Sequence, residues 1–206
     1  DLRIAGYGGA DVWTGGIPER YIVRYRAGIG TDDKHNEMYR FFKAVKPDII
    51  VTHQPPYGIH DGVPSNGPSG SPALRVFCDN NPVLLALSGH IHASCGFQAT
   101  GNTIFLNPSN FGAVTDITAE VFEGGGFYAI EIEGRKVVKV IMKKLVDHRI
   151  YDIADYYLQD GRWAEEVIDR DRYQAFMRRE NYDTKNHRFS HIPEIQLYNE
   201  IKEFYR

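Results

Sequence analysis

Apolar and polar positions alternate along this chain in two periods, and the period changes part-way. Leu2-Arg3-Ile4-Ala5-Gly6-Tyr7 reads as a strand running into Gly8-Gly9. Met38, Phe41, Phe42 and Val45 recur at i, i+3, i+4 and i+7, which predicts a helix over 34–45 that Pro47 terminates. A short apolar strand over Asp48–Thr52 follows, of the kind buried on both faces. Ser71 is placed to cap a helix with Pro72 in its first turn, running to about Asn80, and Val83–Leu87 is the next apolar strand. Helix, apolar strand, helix, apolar strand predicts a layered α/β fold. Between these elements, residues 54–72 form a loop rich in Pro, Gly and Ser.

Beyond residue 92 the pattern turns to antiparallel strands. Thr103–Leu106, Gly126–Glu133 and Lys136–Lys143 read as strands, with Glu133-Gly134-Arg135-Lys136 as a tight hairpin turn. The Gly124-Gly125-Gly126 run lacks a following Lys-Ser/Thr and a following helix, so it is a flexible hairpin rather than a phosphate loop. Residues 148–206 carry 11 of the 26 aromatic side chains, a density that must pack on something. Trp163–Arg179 is expected to be helical, and Ile195, Tyr198, Ile201 and Tyr205 mark one face of a helix starting after Pro193. The expected division is therefore a main unit over 1–147 and an aromatic-rich helical extension over 148–206. The extension packs on its own domain or on a second copy of the chain, as a homo-oligomer.

Composition narrows the class without naming it. The 206 residues are 42% hydrophobic and 25% charged, with a formal net charge of −3, an ordinary globular balance. That charge excludes a sequence-independent nucleic-acid binder. No apolar run approaches the ~20 residues needed to span a bilayer, and residues 1–25 lack the pattern of a signal peptide. Only two cysteines, Cys78 and Cys95, are present, which fits a reducing cytoplasmic setting rather than a disulfide framework. Cys95 follows His92 by three residues but is expected to be a small buried thiol rather than a ligand.

The chemistry concentrates at the ends of apolar strands. His53 ends one; Gly89-His90-Ile91-His92 ends the next. Side chains alternate along a strand, so His90 and His92 are expected on one side and Ile91 on the other. In open α/β sheets ligands bind beyond the carboxyl ends of strands, and imidazole suits Zn, Fe, Mn, Co or Ni. His53, His90 and His92 are therefore candidate metal ligands. Gly89 would let a substrate approach the backbone. Tyr57, His60 and Asp61, in the 54–72 loop at the lip of that edge, are candidate substrate contacts. Asn107 and Asn110 follow a strand beside it and are read as turn-makers, with orienting the ligands as the alternative. His35, His148, His187 and His191 lie outside this constellation.

The ordered set His53-Gln54-Pro55-Pro56, Gly89-His90-Ile91-His92 and Asn107-Pro108-Ser109 resembles the calcineurin-like metallophosphoesterases, especially their Icc-like cytosolic branch. The resemblance spans residues 1 to about 143. It implies a two-sheet β-sandwich flanked by helices. It also implies two divalent metal ions (Mn, Fe, Zn, Ni or Co), with His53 and His90 on one metal and His92 on the other. A small phosphomonoester or phosphodiester of nucleotide type would be the substrate. The family's Asp-X-His, Gly-Asp and Gly-Asn-His blocks do not occur in the chain. The resemblance thus implies the carboxyl-terminal half of the fold, its amino-terminal half supplied by a separate chain or a missing segment. Two rivals stand beside this expectation: a non-catalytic interaction module on a degenerate scaffold, and a single-metal hydrolase using three histidines.

Overall fold

A computed structural model of the chain describes residues 1–9, 37–63, 67–68, 70–115 and 121–177. The amino-side elements are β1 (Ile4–Tyr7), α1 (Glu37–Val45), β2 (Ile49–Thr52), β3 (Gly62–Val63), β4 (Gly67–Pro68), α2 (Pro72–Asn80) and β5 (Leu85–Leu87). Then come β6 (Gly96–Thr100), β7 (Thr103–Asn107), β8 (Val114–Thr115), β9 (Val121–Phe122) and β10 (Gly126–Glu133). The last are β11 (Lys136–Val146), β12 (Arg149–Gln159), β13 (Arg162–Val167) and α3 (Arg170–Met177).

One sheet has the order β1-β2-β5-β7-β6, with β1, β2, β5 and β7 parallel and β6 antiparallel at the edge. The other is an antiparallel meander, β10-β11-β12-β13. The mixed α/β character expected from the sequence is present.

Strand alternation builds two cores from the parallel sheet. In register, Ala5, Ile50, Ala86 and Phe105 turn to one face and meet Met38, Phe42, Leu74, Phe77 and Cys78 of α1 and α2. Ile49, Leu85, Ile104 and Leu106 turn to the other face. There they pack with Cys95 and with Val140, Met142, Ile153, Ala154 and Tyr156 of the meander. Each large apolar side chain buried this way is worth roughly 1.5–3 kcal/mol, so the two clusters hold the three layers together. On the same face beside β1, Ile4 and Val51 stay exposed.

Helix α2 forms as the sequence predicts: Ser71 Oγ accepts from Leu74 N at 3.3 Å, and Pro72 opens the helix. Asp48 pins the amino end of β2. Its carboxylate accepts from Arg3 N at 2.8 Å and pairs with Arg135 in the β10–β11 turn. Those bonds, the Arg3 amide foremost, hold it below the usual carboxylate range.

The region after 147 departs from expectation. Residues 149–159 and 162–167 are strands β12 and β13, and among the described residues of this region only Arg170–Met177 is helical. Position 147 is a turn inside one sheet, since β12 pairs with β11 from Val146↔Arg149 onward. The apolar positions Ile153, Ala154 and Tyr156 face the parallel sheet, so aromatic richness here marks a core strand. The helix expected after Pro193 lies outside the described residues, as does the expected start of α1 at 34–36. No described helix is long and apolar enough to cross a membrane.

Candidate functional site

Strands β2 and β5 are parallel neighbours, so the segments leaving them emerge at one edge of the sheet. His53 follows β2 directly, and His90 lies three residues beyond β5. One backbone bond draws these exits together, Gly89 N donating to His53 O at 3.0 Å, and Ser88 N, donating to Leu106 O at 3.0 Å, ties the β5 exit to β7 on its other side. Ile91 N then donates to Gly89 O at 2.7 Å, closing a three-residue turn around His90, whose φ is +66°.

The expected strand alternation of His90 and His92 therefore does not hold. The strand stops at Leu87, and the two histidines sit in a turn that feeds β6. The hydrophobic part of that expectation survives in another form, because Ile91 is buried.

The turn sets His90 Nδ1 2.9 Å from His53 Nε2, with ring centroids 4.7 Å apart. At that separation either imidazole can donate to the other, according to its tautomer. Burial, with His53 and His92 as like-charged neighbours, pushes His90 down to about 4. Burial of part of its ring also lowers His53. Both rings are thus neutral at pH 7, the form that ligates metals. His92 stands near enough to His90 to disfavour its charge, and its carbonyl accepts from Ser109 Oγ at 2.7 Å.

The 54–72 loop is tied to the start of α2. Pro56 bridges Ser71, Tyr57 N donates to Ser71 O at 3.0 Å, and Ser71 N donates to Pro55 O at 2.8 Å. Gly70 permits this approach, since a Cβ there would lie 2.5 Å from Pro56 O. Of the expected substrate contacts, Tyr57 and His60 are half-buried at the rim. Asp61 is instead buried beneath it: its Oδ2 accepts from Gly58 N at 2.8 Å and Gly70 N at 3.0 Å. Desolvation still raises its pKa against those bonds, and its evident work is to fold the loop. A Cβ on Gly89 would meet only His53 O, at 3.9 Å, so the packing does not itself demand glycine there.

A metal must fit these donors. Zn–N bonds of about 2.0–2.1 Å place neighbouring ligand nitrogens about 3 Å apart, and the His53–His90 spacing suits one shared cation. Among the described residues, however, no group of three or more His, Cys, Asp or Glu could hold a metal ion. The described residues therefore do not furnish a two-metal centre on their own. Asn107 is the residue that sequence reasoning undervalued. Its carboxamide donates to Ser94 O at 2.7 Å and Ile91 O at 2.9 Å, both in the histidine turn. The available signal was a polar residue ending a strand whose five positions are all buried.

No family model and no curated protein matches the chain in sequence. Among solved structures, wild-type Vps29 complexed with Zn²⁺ from Entamoeba histolytica is similar at 15% identity. It matches over 73% of this chain and 97% of that one, with a TM-score of 0.33. A single mutant of Vps29 from the same organism matches at 16% identity over 81% and 98%, with a TM-score of 0.29. Another solved chain matches at 20% identity with a TM-score of 0.38, over 72% of this chain. This chain spans about half of that protein, 47% of its length. At these scores the likenesses add nothing to what the chain's own residues say.

Proposed function

We propose that the chain contributes the carboxyl-side half of a metal-dependent phosphoesterase site, as the motif resemblance implies. The observation that carries the reading is the neutral His53–His90 pair, 2.9 Å apart where two adjacent parallel strands end. His53 and His90 would hold one divalent cation and His92 would serve a second. Carboxylate ligands would come from residues outside those described. Bound there, the cations would polarise the phosphate of a small phosphomonoester or phosphodiester and acidify a water between them. Gly89 would leave the backbone approachable to substrate, and Tyr57 and His60 would contact it from the 54–72 loop. The exposed Ile4 and Val51 beside β1 are where the amino-terminal half would pack.

The test combines this chain with its amino-terminal half and measures Mn²⁺-dependent hydrolysis of bis-p-nitrophenyl phosphate, with metal content in parallel. Activity that disappears, and metal content that falls, in His90→Ala and His92→Ala support the reading. An inactive assembly whose metal content ignores both substitutions sinks it.

The second reading is a non-catalytic interaction module, favoured by the exposed Phe111, Ile150 and Ile168. Partner binding that persists in His90→Ala, without hydrolysis, would select it.

A further inference from the structure

We infer that Asn107 is a positioning residue for the histidine turn, set behind it rather than in contact with anything it binds. The side chain is wholly buried at the end of β7. Its two Nδ2 hydrogens face Ser94 O at 2.7 Å and Ile91 O at 2.9 Å, with His60 O at 3.4 Å as a longer third neighbour. Its Oδ1 accepts from Ser109 N at 2.9 Å. The orientation of the amide is therefore fixed: turned over, Oδ1 would face carbonyl oxygens and Nδ2 would face an N–H.

The carbonyls it holds bracket the ligand positions. Ile91 separates His90 from His92, and Ser94 lies two residues past His92. Ser109, oriented by Asn107, adds to the grip: its Oγ lies 2.7 Å from both His92 O and Asn110 Oδ1, which share its one donor hydrogen. Carbonyls 91, 92 and 94 are thus anchored from one side. The His90 turn, with its φ of +66°, is kept in a form an unconstrained chain would leave. Through His60 O the same amide also reaches the rim loop. This inference rests on the metal reading only for its second readout below.

The experiment uses the full chain carrying Asn107→Leu, Asn107→Asp or Ser109→Ala. Asn107→Leu removes the donors, and Asn107→Asp sets an acceptor against the carbonyls. The first readout is the nuclear Overhauser contact between the His53 and His90 rings in chelator-treated protein at pH 7.5. The second is Co²⁺ affinity and its visible absorption spectrum. Wild type should show the ring contact. Both Asn107 variants should lose it, bind Co²⁺ roughly 10–100-fold more weakly and shift its absorption bands, with far-UV circular dichroism unchanged. An Asn107 that merely stabilises the fold would lower the unfolding temperature and leave the ring contact and the bands in place. That result overturns the inference.

If the Asn107 variants do not fold, Ser109→Ala decides by itself. It should weaken Co²⁺ binding less than the Asn107 variants do and attenuate the ring contact, and no change in either overturns the inference. A wild-type chain that binds no Co²⁺ by itself is what a half-site lacking its carboxylate ligands would show, and the ring contact then decides the role of Asn107 alone.

Discussion

His90 shows how one residue's backbone can serve its side chain. A non-glycine residue at φ +66° inside a three-residue turn is in a sparsely populated conformation, which costs on the order of 1–3 kcal/mol. His60 (φ +49°) and Ser109 (φ +67°) share that region of backbone space close by. Such conformations persist where the surroundings enforce them. His90→Gly and His90→Ala both delete the imidazole, so comparing them isolates the backbone. His90→Gly should be the more stable by about 1 kcal/mol in urea unfolding with chelator present, and equal midpoints would mean the turn is unstrained. The sequence made His53 and His90 visible because each follows an apolar run. It did not reveal how they meet, because the alternation argument assumes a strand and the strand ends at Leu87. Asp61 was misplaced for a related reason: a carboxylate in a Gly/Pro loop looks exposed until Gly58 N and Gly70 N are seen to surround it.

Among the elements, apolar period and a terminating proline made α1 legible, the Ser71 cap and Pro72 made α2 legible, and short apolar runs made β2 and β5 legible. The strands β12 and β13 were not, although Asp160-Gly161 between them is a strong two-residue hairpin signal. Both residues take positive φ, 51° and 76°, as that turn requires. The aromatic density of Tyr151, Tyr156, Tyr157 and Trp163 masked it by imitating a helix that needs a partner. The other turn, Asp147-His148, also has two positive φ values but no glycine to announce it. A boundary drawn at 147 therefore cuts a sheet. A chain ending at Asp147 loses Ile153, Ala154 and Tyr156 from the second core, leaving Val140 and Met142 facing water. It should show no cooperative thermal transition and no near-UV circular dichroism. A sharp transition like that of the full chain would mean that β12 is dispensable.

Over the whole molecule, the two larger sheets are fastened partly through Asp48, which touches β1 by way of Arg3 and the meander by way of Arg135. Asp48→Ala should destabilise the chain by about 1–3 kcal/mol at pH 7 by orphaning the Arg3 amide. The folded protein lowers this carboxyl's pKa, so its contribution is complete above the unfolded value, near 3.9. It is lost as pH falls through the lower folded value. Urea midpoints of wild type and Asp48→Ala should thus differ at pH 7 and draw together as pH falls below the unfolded carboxyl value of about 3.9; a constant gap would assign the effect to packing.

The layering has one more consequence, carried by the two thiols. Cys78 lies in the core under the helices and Cys95 in the core between the sheets, and both are buried. Burial drives the Cys78 thiol strongly upward, away from its reactive thiolate. A thiol reagent reaches either one only after that cysteine's own layer parts. The chain therefore carries two built-in clocks, one for the lifting of the helices and one for the separation of the sheets.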